Sequence, residues 1–257
     1  MAIVTLTSDL GMKDYYVAVL KGRILSGAPS TQLIDISHEI SPFDIQEAAF
    51  VMRNACFQFP QGTIHLVSVH AEARNPTKAV AIMSQGHIFM GMDNGLFSLM
   101  LEDVPERIIE IPQNPANVSS FVAKDVLTEV AIHLANGKPF TGLGTPLGAL
   151  ETKTYLRPPE NQFIIRANIV YIDRFGNLIT NITRERFEKT RAGRNFVINY
   201  KRHEEIHKIS SIYQDVPEGE KLCLFNSAGH LEIAIHKGNA SQLLGLHLDN
   251  TIQIEFE

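Results

Sequence analysis

The patterning of the chain changes once, and that change limits the fold more than any single motif does. Through the first half, strand-like and helical patterns alternate. Ile3 to Gly11 reads as a short buried strand and an acidic turn, and Asp14 to Gly22 as an amphipathic helix. Gln32 to Ile36 reads as a strand, and Ile45 to Asn54 has helical spacing with Asp44 placed to cap it. Thr63 to Val69, Ala79 to Met83 and His87 to Gly91 are strand candidates, and Lys124 to Leu134 reads as a helix stopped by Asn136-Gly137. Such alternation predicts an α/β layer with a mainly parallel sheet. Tyr155-Leu156-Arg157-Pro158-Pro159-Glu160-Asn161-Gln162 then reads as a linker. Beyond it come short β-type runs at Phe163 to Ile172, Asn195 to Tyr200, Ile206 to Tyr213, Lys221 to Asn226, His230 to Ile235 and Thr251 to Glu255. The expectation is an α/β N-terminal domain over residues 1–156, followed by an all-β, barrel-like C-terminal domain over 157–257.

At 257 residues the chain has room for one large or two small domains. Its formal net charge is −5 and it has no long basic run, which argues against nucleic acid as a partner. Cys56 and Cys223 lack disulfide or metal-site spacing and read as buried free thiols. Neither a signal pattern nor a run of about twenty apolar residues is present, so a soluble cytoplasmic protein with no membrane partner is expected.

Two segments carry the chemistry. Asp173-Arg174-Phe175-Gly176-Asn177 follows the strand-like run Ala167 to Ile172. A ring to stack on, an amide to read a base edge and an acid to hold an amine suit a nucleoside with an amino-acid arm. The same residues also read as a plain turn, with Gly176 at a special dihedral. Asp9 lies in a turn at the carboxyl end of the first strand, where open α/β sheets bind ligands, and its carboxylate suits a ribose cis-diol. Asp9 or Asp14 also reads as a simple helix cap.

Taken together, Thr7-Ser8-Asp9-Leu10-Gly11, Asp35 to Asp44, Asp93-Asn94-Gly95-Leu96, Asp173 to Ile182 and Asn226 to Ala234 resemble, in order, the S-adenosyl-L-methionine hydroxide adenosyltransferases, the family that includes fluorinating and chlorinating enzymes. The resemblance implies the two-domain arrangement and a homotrimer with sites between the N-terminal domain of one subunit and the C-terminal domain of the next. It implies S-adenosylmethionine as the substrate and nucleophilic substitution at ribose C5′. No metal or cofactor is required, because the sulfonium leaving group is already activated. By matching motifs, Asp9 would bind the ribose hydroxyls and Phe43 would form an aromatic wall. Asp173 would hold the methionine ammonium group with Ser227. Asn177 would read the adenine edge between Phe175 and Tyr213, and Ser120 joins this substrate-binding set.

The chain departs from the family at the chemistry. Hydrolytic members carry Asp-Pro-Gly-Val-Gly, then an arginine, and later Phe-His-Gly-Arg-Asp. Here the first segment is His70-Ala71-Glu72-Ala73-Arg74, the arginine position falls at Thr77, and the later segment is Phe121-Val122-Ala123-Lys124-Asp125. Three readings stay open. Hydrolysis persists with His70 as base, helped by Glu72, Arg74 or Lys78; or the nucleophile differs; or the chain binds S-adenosylmethionine or adenosine without turnover. An unrelated reading comes from His203-Glu204-Glu205-Ile206-His207, the H-E-x-x-H pattern of zinc hydrolases, which needs a helix where the flanks read as strands. His65, His70 and Glu72 are also read as a group sharing one strand face that could ligate a metal.

Overall fold

The computed structural model describes residues 1–72, 77–113, 119–154 and 162–257. The chain divides into two compact units, Met1–Tyr155 and Leu156–Glu257. Of the expected linker, only Gln162 lies within the described residues, and Ala73 and Arg74 lie outside them too.

Unit 1 holds a seven-stranded sheet. Its strands are β1 (Ile3–Ser8), β2 (Gln32–Ser37), β3 (Ile64–Ser68), β4 (Ala79–Ser84), β5 (His87–Met92), β6 (Arg107–Ile111) and β7 (Thr145–Pro146), in the order β2-β1-β3-β5-β4-β6-β7. Its helices are α1 (Tyr16–Gly27), α2 (Ile45–Ala55), α3 (Leu96–Met100) and α4 (Thr128–Ala135), the last led in by a π-helical turn at Ala123–Leu127. Strands β2, β1, β3 and β5 are paired in parallel, whereas β5-β4, β4-β6 and β6-β7 are antiparallel. The sheet is therefore mixed, although most of its strands point the same way. The reason is local. Only Gln85 and Gly86 separate β4 from β5, and both have positive φ, 50° and 77°. A two-residue turn of that hand makes a hairpin and cannot make a parallel crossover.

Period-2 alternation sends side chains to two cores. Val4, Leu6, Ile64 and Leu66 pack with α1 and α4 through Leu20, Ile24, Val130 and Ala131. Val67, Val69, Ile82 and Phe89 pack with α2 and α3 through Ala48, Met52, Leu96 and Phe97. Asp44 caps α2, its Oδ1 accepting from Gln46 N and Glu47 N at 2.9 Å each. Such a cap is worth about 1 kcal/mol.

Unit 2 holds an eight-stranded sheet in the order β11-β10-β15-β8-β9-β14-β13-β12. The strands are β8 (Ile164–Ile172), β9 (Leu178–Thr183), β10 (Phe196–Lys201), β11 (Glu204–Ile206), β12 (Ile209–Ser210), β13 (Lys221–Phe225), β14 (His230–Ile235) and β15 (Thr251–Phe256). All neighbours are antiparallel except β12 and β13. The expected all-β barrel is only partly realised. Two helices, α5 (Arg184–Arg191) and α6 (Ala240–Leu244), interrupt the strands. Among the described residues no pairing of β11 with β12 closes the sheet. Side chains span the gap instead: the Tyr200 hydroxyl donates to Glu204 at 2.7 Å, and Lys221 Nζ on β13 donates to both Tyr200 and Glu204. Helix α5 forms because Phe187 plugs the core, in edge contact with Phe196, Phe225 and Phe256. Ile206 to Tyr213, expected as one run, breaks into β11, β12 and a turn.

The H-E-x-x-H pattern does not form a helix. His203 has a φ of 62° in the turn between β10 and β11, and Glu204 opens β11. The zinc-hydrolase geometry is thus absent from this segment. No helix among the described residues is long and apolar enough to cross a membrane.

Candidate functional site

In unit 1 the parallel strands β1, β2 and β3 deliver Asp9, His38 and His70 just past their carboxyl ends. Asp9 is the hub. Its Oδ2 accepts from the backbone N–H of Phe43 and of His70, each at 3.0 Å. Both donors are non-glycine residues with positive φ, 68° for Phe43 and 48° for His70. Left-handed backbone costs about 1–2 kcal/mol for an L-residue, so the charge-assisted bonds offset a real strain. The Phe43 and His70 rings meet edge to face with centroids 5.4 Å apart. Among the described residues nothing donates to Asp9 Oδ1. The capping alternative fails for both acids, because α1 begins at Tyr16 with no side-chain cap.

A chain of side chains running from buried Ser8 and His38 out to Asp35 at the surface braces this turn. Ser8 Oγ lies 2.7 Å from His38 Nδ1, and His38 Nε2 lies 3.1 Å from Asp35 Oδ1. Lys21 pairs with Asp35 Oδ2 at 2.6 Å. Partial burial of Asp35 works against ionisation, but Lys21 and His38 hold its carboxyl below the usual range. His38 also accepts from Gly11 N through its carbonyl at 2.8 Å. Ser8 is 1% exposed, so this serine–histidine–acid chain supports the turn and offers no nucleophile to a substrate.

The Asp93-Asn94 motif holds the next layer. Asn94 Nδ2 donates to the carbonyls of Val69 and His70 at 3.1 and 3.2 Å, and its Oδ1 accepts from Leu96 N. Asp93 receives Glu151 N at 2.9 and 3.1 Å. Its burial pushes the carboxyl above the usual range, although that backbone bond opposes the shift.

The catalytic candidates divide. His70 and Glu72 are exposed. Lys78 is taken up by Glu110 at 2.6 Å. Val122, at the position of the family's histidine, is 1% exposed and packs in the core with Ala123. Ser120 is exposed, whereas its neighbour Ser119 donates to Asp125 at 2.6 Å and accepts from Phe121 N.

The expected shared face of His65, His70 and Glu72 does not exist. The two histidines are five positions apart, an odd offset, and β3 ends at Ser68 before His70 turns away. His65 is fully buried, bonded to Thr5 Oγ1 at 2.7 Å and to His87 at 3.2 Å. Burial, then the neighbouring charge on His87, lowers its pKa to about 3.

In unit 2, Asp173 closes the turn between β8 and β9. Its Oδ1 accepts from Phe175 N at 2.9 Å and Asn177 N at 2.8 Å, and its Oδ2 from Asn177 Nδ2 at 3.0 Å. The plain-turn reading is therefore realised, with Gly176 at φ 85°. A Cβ there would lie 2.2 Å from Asn239, whose side chain caps α6. The turn leaves Phe175 75% exposed and Asn177 6% exposed. Ser227 is exposed in the β13–β14 turn, and no hydrogen bond joins it to Asp173 among the described residues. Tyr213 donates its hydroxyl to Glu232 at 2.7 Å, and Asp173 lies close enough to act electrostatically on both. Glu232 and His38 stood inside quoted motifs but received no role from the sequence, since pairing across strands is invisible there.

An α/β unit with an acid-centred turn at its strand ends, followed by a β-rich unit with an Asp-aromatic-Gly-Asn turn, defines the class to which these residues point. The chain belongs to the S-adenosylmethionine (SAM) hydroxide adenosyltransferase family, matching its N-terminal domain over residues 4–144 and its C-terminal domain over 167–253. It is 34% identical to an (R)-S-adenosyl-L-methionine hydrolase of Methanocaldococcus jannaschii, with 98% of this chain and 95% of the relative covered. It is 32% identical to the enzyme of the same name from Thermus thermophilus, covering 93% of this chain and 94% of that one. The structure solved for an uncharacterized conserved protein of Thermotoga maritima superposes with a TM-score of 0.88 at 32% identity, covering 98% and 99% of the two chains.

Proposed function

We propose that the protein binds S-adenosylmethionine and hydrolyses it to adenosine and L-methionine. The observation that carries this reading is the Asp9 hub. One carboxylate oxygen fixes Phe43 and His70, and the other can accept from a ribose cis-diol beside them. In the reaction, water forms a bond to C5′ as the C5′–S bond breaks. The sulfur keeps the electron pair and leaves as the neutral thioether of methionine. The proton of the attacking water passes to the His70 imidazole, the base we assign, with Glu72 beside it. Asp173 takes the methionine ammonium group, with Ser227 nearby, and Asn177 with Phe175 and Tyr213 takes the adenine. Ser120 completes the set. No metal or redox cofactor is assigned, because a sulfonium leaving group needs no Lewis acid.

The assembly we propose is a cytoplasmic homotrimer in which N-terminal and C-terminal half-sites of different subunits cooperate. Buried Val122 at the family's histidine position favours one other reading, binding without turnover. Incubating the purified protein with S-adenosylmethionine, with and without chloride, decides between them. Adenosine supports hydrolysis, a 5′-halo nucleoside redirects the reading to halide, and an unchanged but bound ligand leaves a binding protein.

A further inference from the structure

Glu232 is an acid in an apolar place. It lies mid-strand in β14, 2% exposed, opposite Leu224 and on the same face as Leu222 and Ala234, a small cluster covered by Val216. Burial raises its carboxyl above the usual range, hydrogen bonds from Tyr213 and Asn226 oppose that, and the charge of Asp173 adds to it. An apolar side chain of similar size would fill this space with no desolvation cost and no repulsion from Asp173. The geometry shows what the acid holds. Tyr213 opens a short turn whose backbone is tied by Asp215, Oδ2 accepting from Ser211 N at 2.7 Å and Ile212 N at 3.3 Å. Its hydroxyl is tied by Glu232 at 2.7 Å. The ring is thus fixed at both ends while 37% exposed.

We propose that Glu232 is a positioning residue of the nucleoside half-site, acting on the ligand only through the Tyr213 hydroxyl. This rests on the function proposed above. An exposed tyrosine anchored at one end sweeps through several rotamers, whereas one anchored at both ends presents a ready-made wall and loses little freedom on binding. The role calls for an acceptor at residue 232, and charge there is secondary.

The chain has six tyrosines and no tryptophan, so tyrosine emission and absorbance are readable directly. Adenosine and S-adenosylmethionine are titrated by calorimetry into wild type, Glu232→Leu, Glu232→Gln, Tyr213→Phe and the Tyr213→Phe/Glu232→Leu pair. Glu232→Leu should weaken adenosine binding about tenfold. Glu232→Gln keeps an acceptor oxygen and should stay within about threefold of wild type. On a Tyr213→Phe background, Glu232→Leu should add nothing. An unchanged affinity in folded Glu232→Leu, or an additive double variant, would overturn the proposal. So would a loss in Glu232→Gln as large as in Glu232→Leu, because charge and not the acceptor would then matter. Should Glu232→Leu not fold, Tyr213→Phe carries the decision: it removes the same bond from the tyrosine side and should weaken adenosine binding about tenfold, and an unchanged affinity would overturn the proposal. A ligand-free readout separates this proposal from the function beneath it. Tyrosine absorbance followed to high pH should show the Tyr213 hydroxyl ionising late in wild type, alongside Tyr16 and Tyr200, and earlier in Glu232→Leu, with the other two unmoved. A wild type that shows this but binds no nucleoside sinks the function, and the positioning role with it. A wild type that binds nucleoside without this signature sinks the positioning role alone.

Discussion

The backbone N–H groups of Phe43 and His70, 27 residues apart in sequence, converge at 3.0 Å on a single oxygen of Asp9. Both residues take up left-handed backbone to reach it. The same carboxylate that is proposed to hold the ribose therefore also shapes the wall beside it.

Asp9→Ala removes both bonds at once. A hydrogen bond to a charged group is worth about 1.5–3 kcal/mol, so nucleoside affinity should fall at least about tenfold. Asp9→Asn keeps an acceptor oxygen and should recover part of that loss. Equal affinity in wild type and Asp9→Ala by calorimetry would remove Asp9 from the site.

His70 should separate stability from activity. Glycine tolerates a φ of 48° without the Cβ penalty, so His70→Gly should keep or raise the melting temperature. If His70 is the base, the same variant should lower kcat by about 10²–10⁴. A melting temperature and a kcat that fall together would show that His70 is structural.

The buried His65 makes the fold sensitive to acid. Burial and His87 depress its pKa to about 3 in the folded chain, against 6.5 as the ordinary value. The unfolded chain therefore binds the proton first. The stability from keeping His65 neutral is complete above pH ~6.5 and is lost progressively as pH falls toward about 3. The slope from this one group is at most about 1.4 kcal/mol per pH unit. Denaturant midpoints between pH 7 and pH 5 should fall accordingly, and less steeply in His65→Gln.

Gly176→Ala should damage the Asp173 turn. The residue has a φ of 85°, and the new methyl group would meet Asn239 at 2.2 Å, disturbing the cap of α6. A loss of about 1–3 kcal/mol is expected in chemical denaturation, with weaker adenosine binding. A variant as stable as wild type would mean that α6 shifts freely.

His203→Ala and His207→Ala should leave turnover unchanged, and EDTA should not inhibit it, since the motif lies on a hairpin. Loss of activity in either variant would reopen the zinc reading.

Local elements and their caps are legible in the chain before any folding is considered. Asp44 before α2, the apolar alternation of β1 and β3 and the Asp173-to-Asn177 turn are written in neighbouring residues, because period, capping and turn chemistry are short-range. Gln85-Gly86 also signals a hairpin, which is what makes an otherwise mainly parallel sheet mixed. Tertiary structure alone decided what depends on residues distant in sequence. Only folding brings Phe43 and His70 to Asp9, sets Ser8 on His38, and joins the Tyr213 hydroxyl to Glu232. Helix α5 escaped for the same reason: its stretch is polar except for Phe187, and three rings from other strands make that one side chain enough.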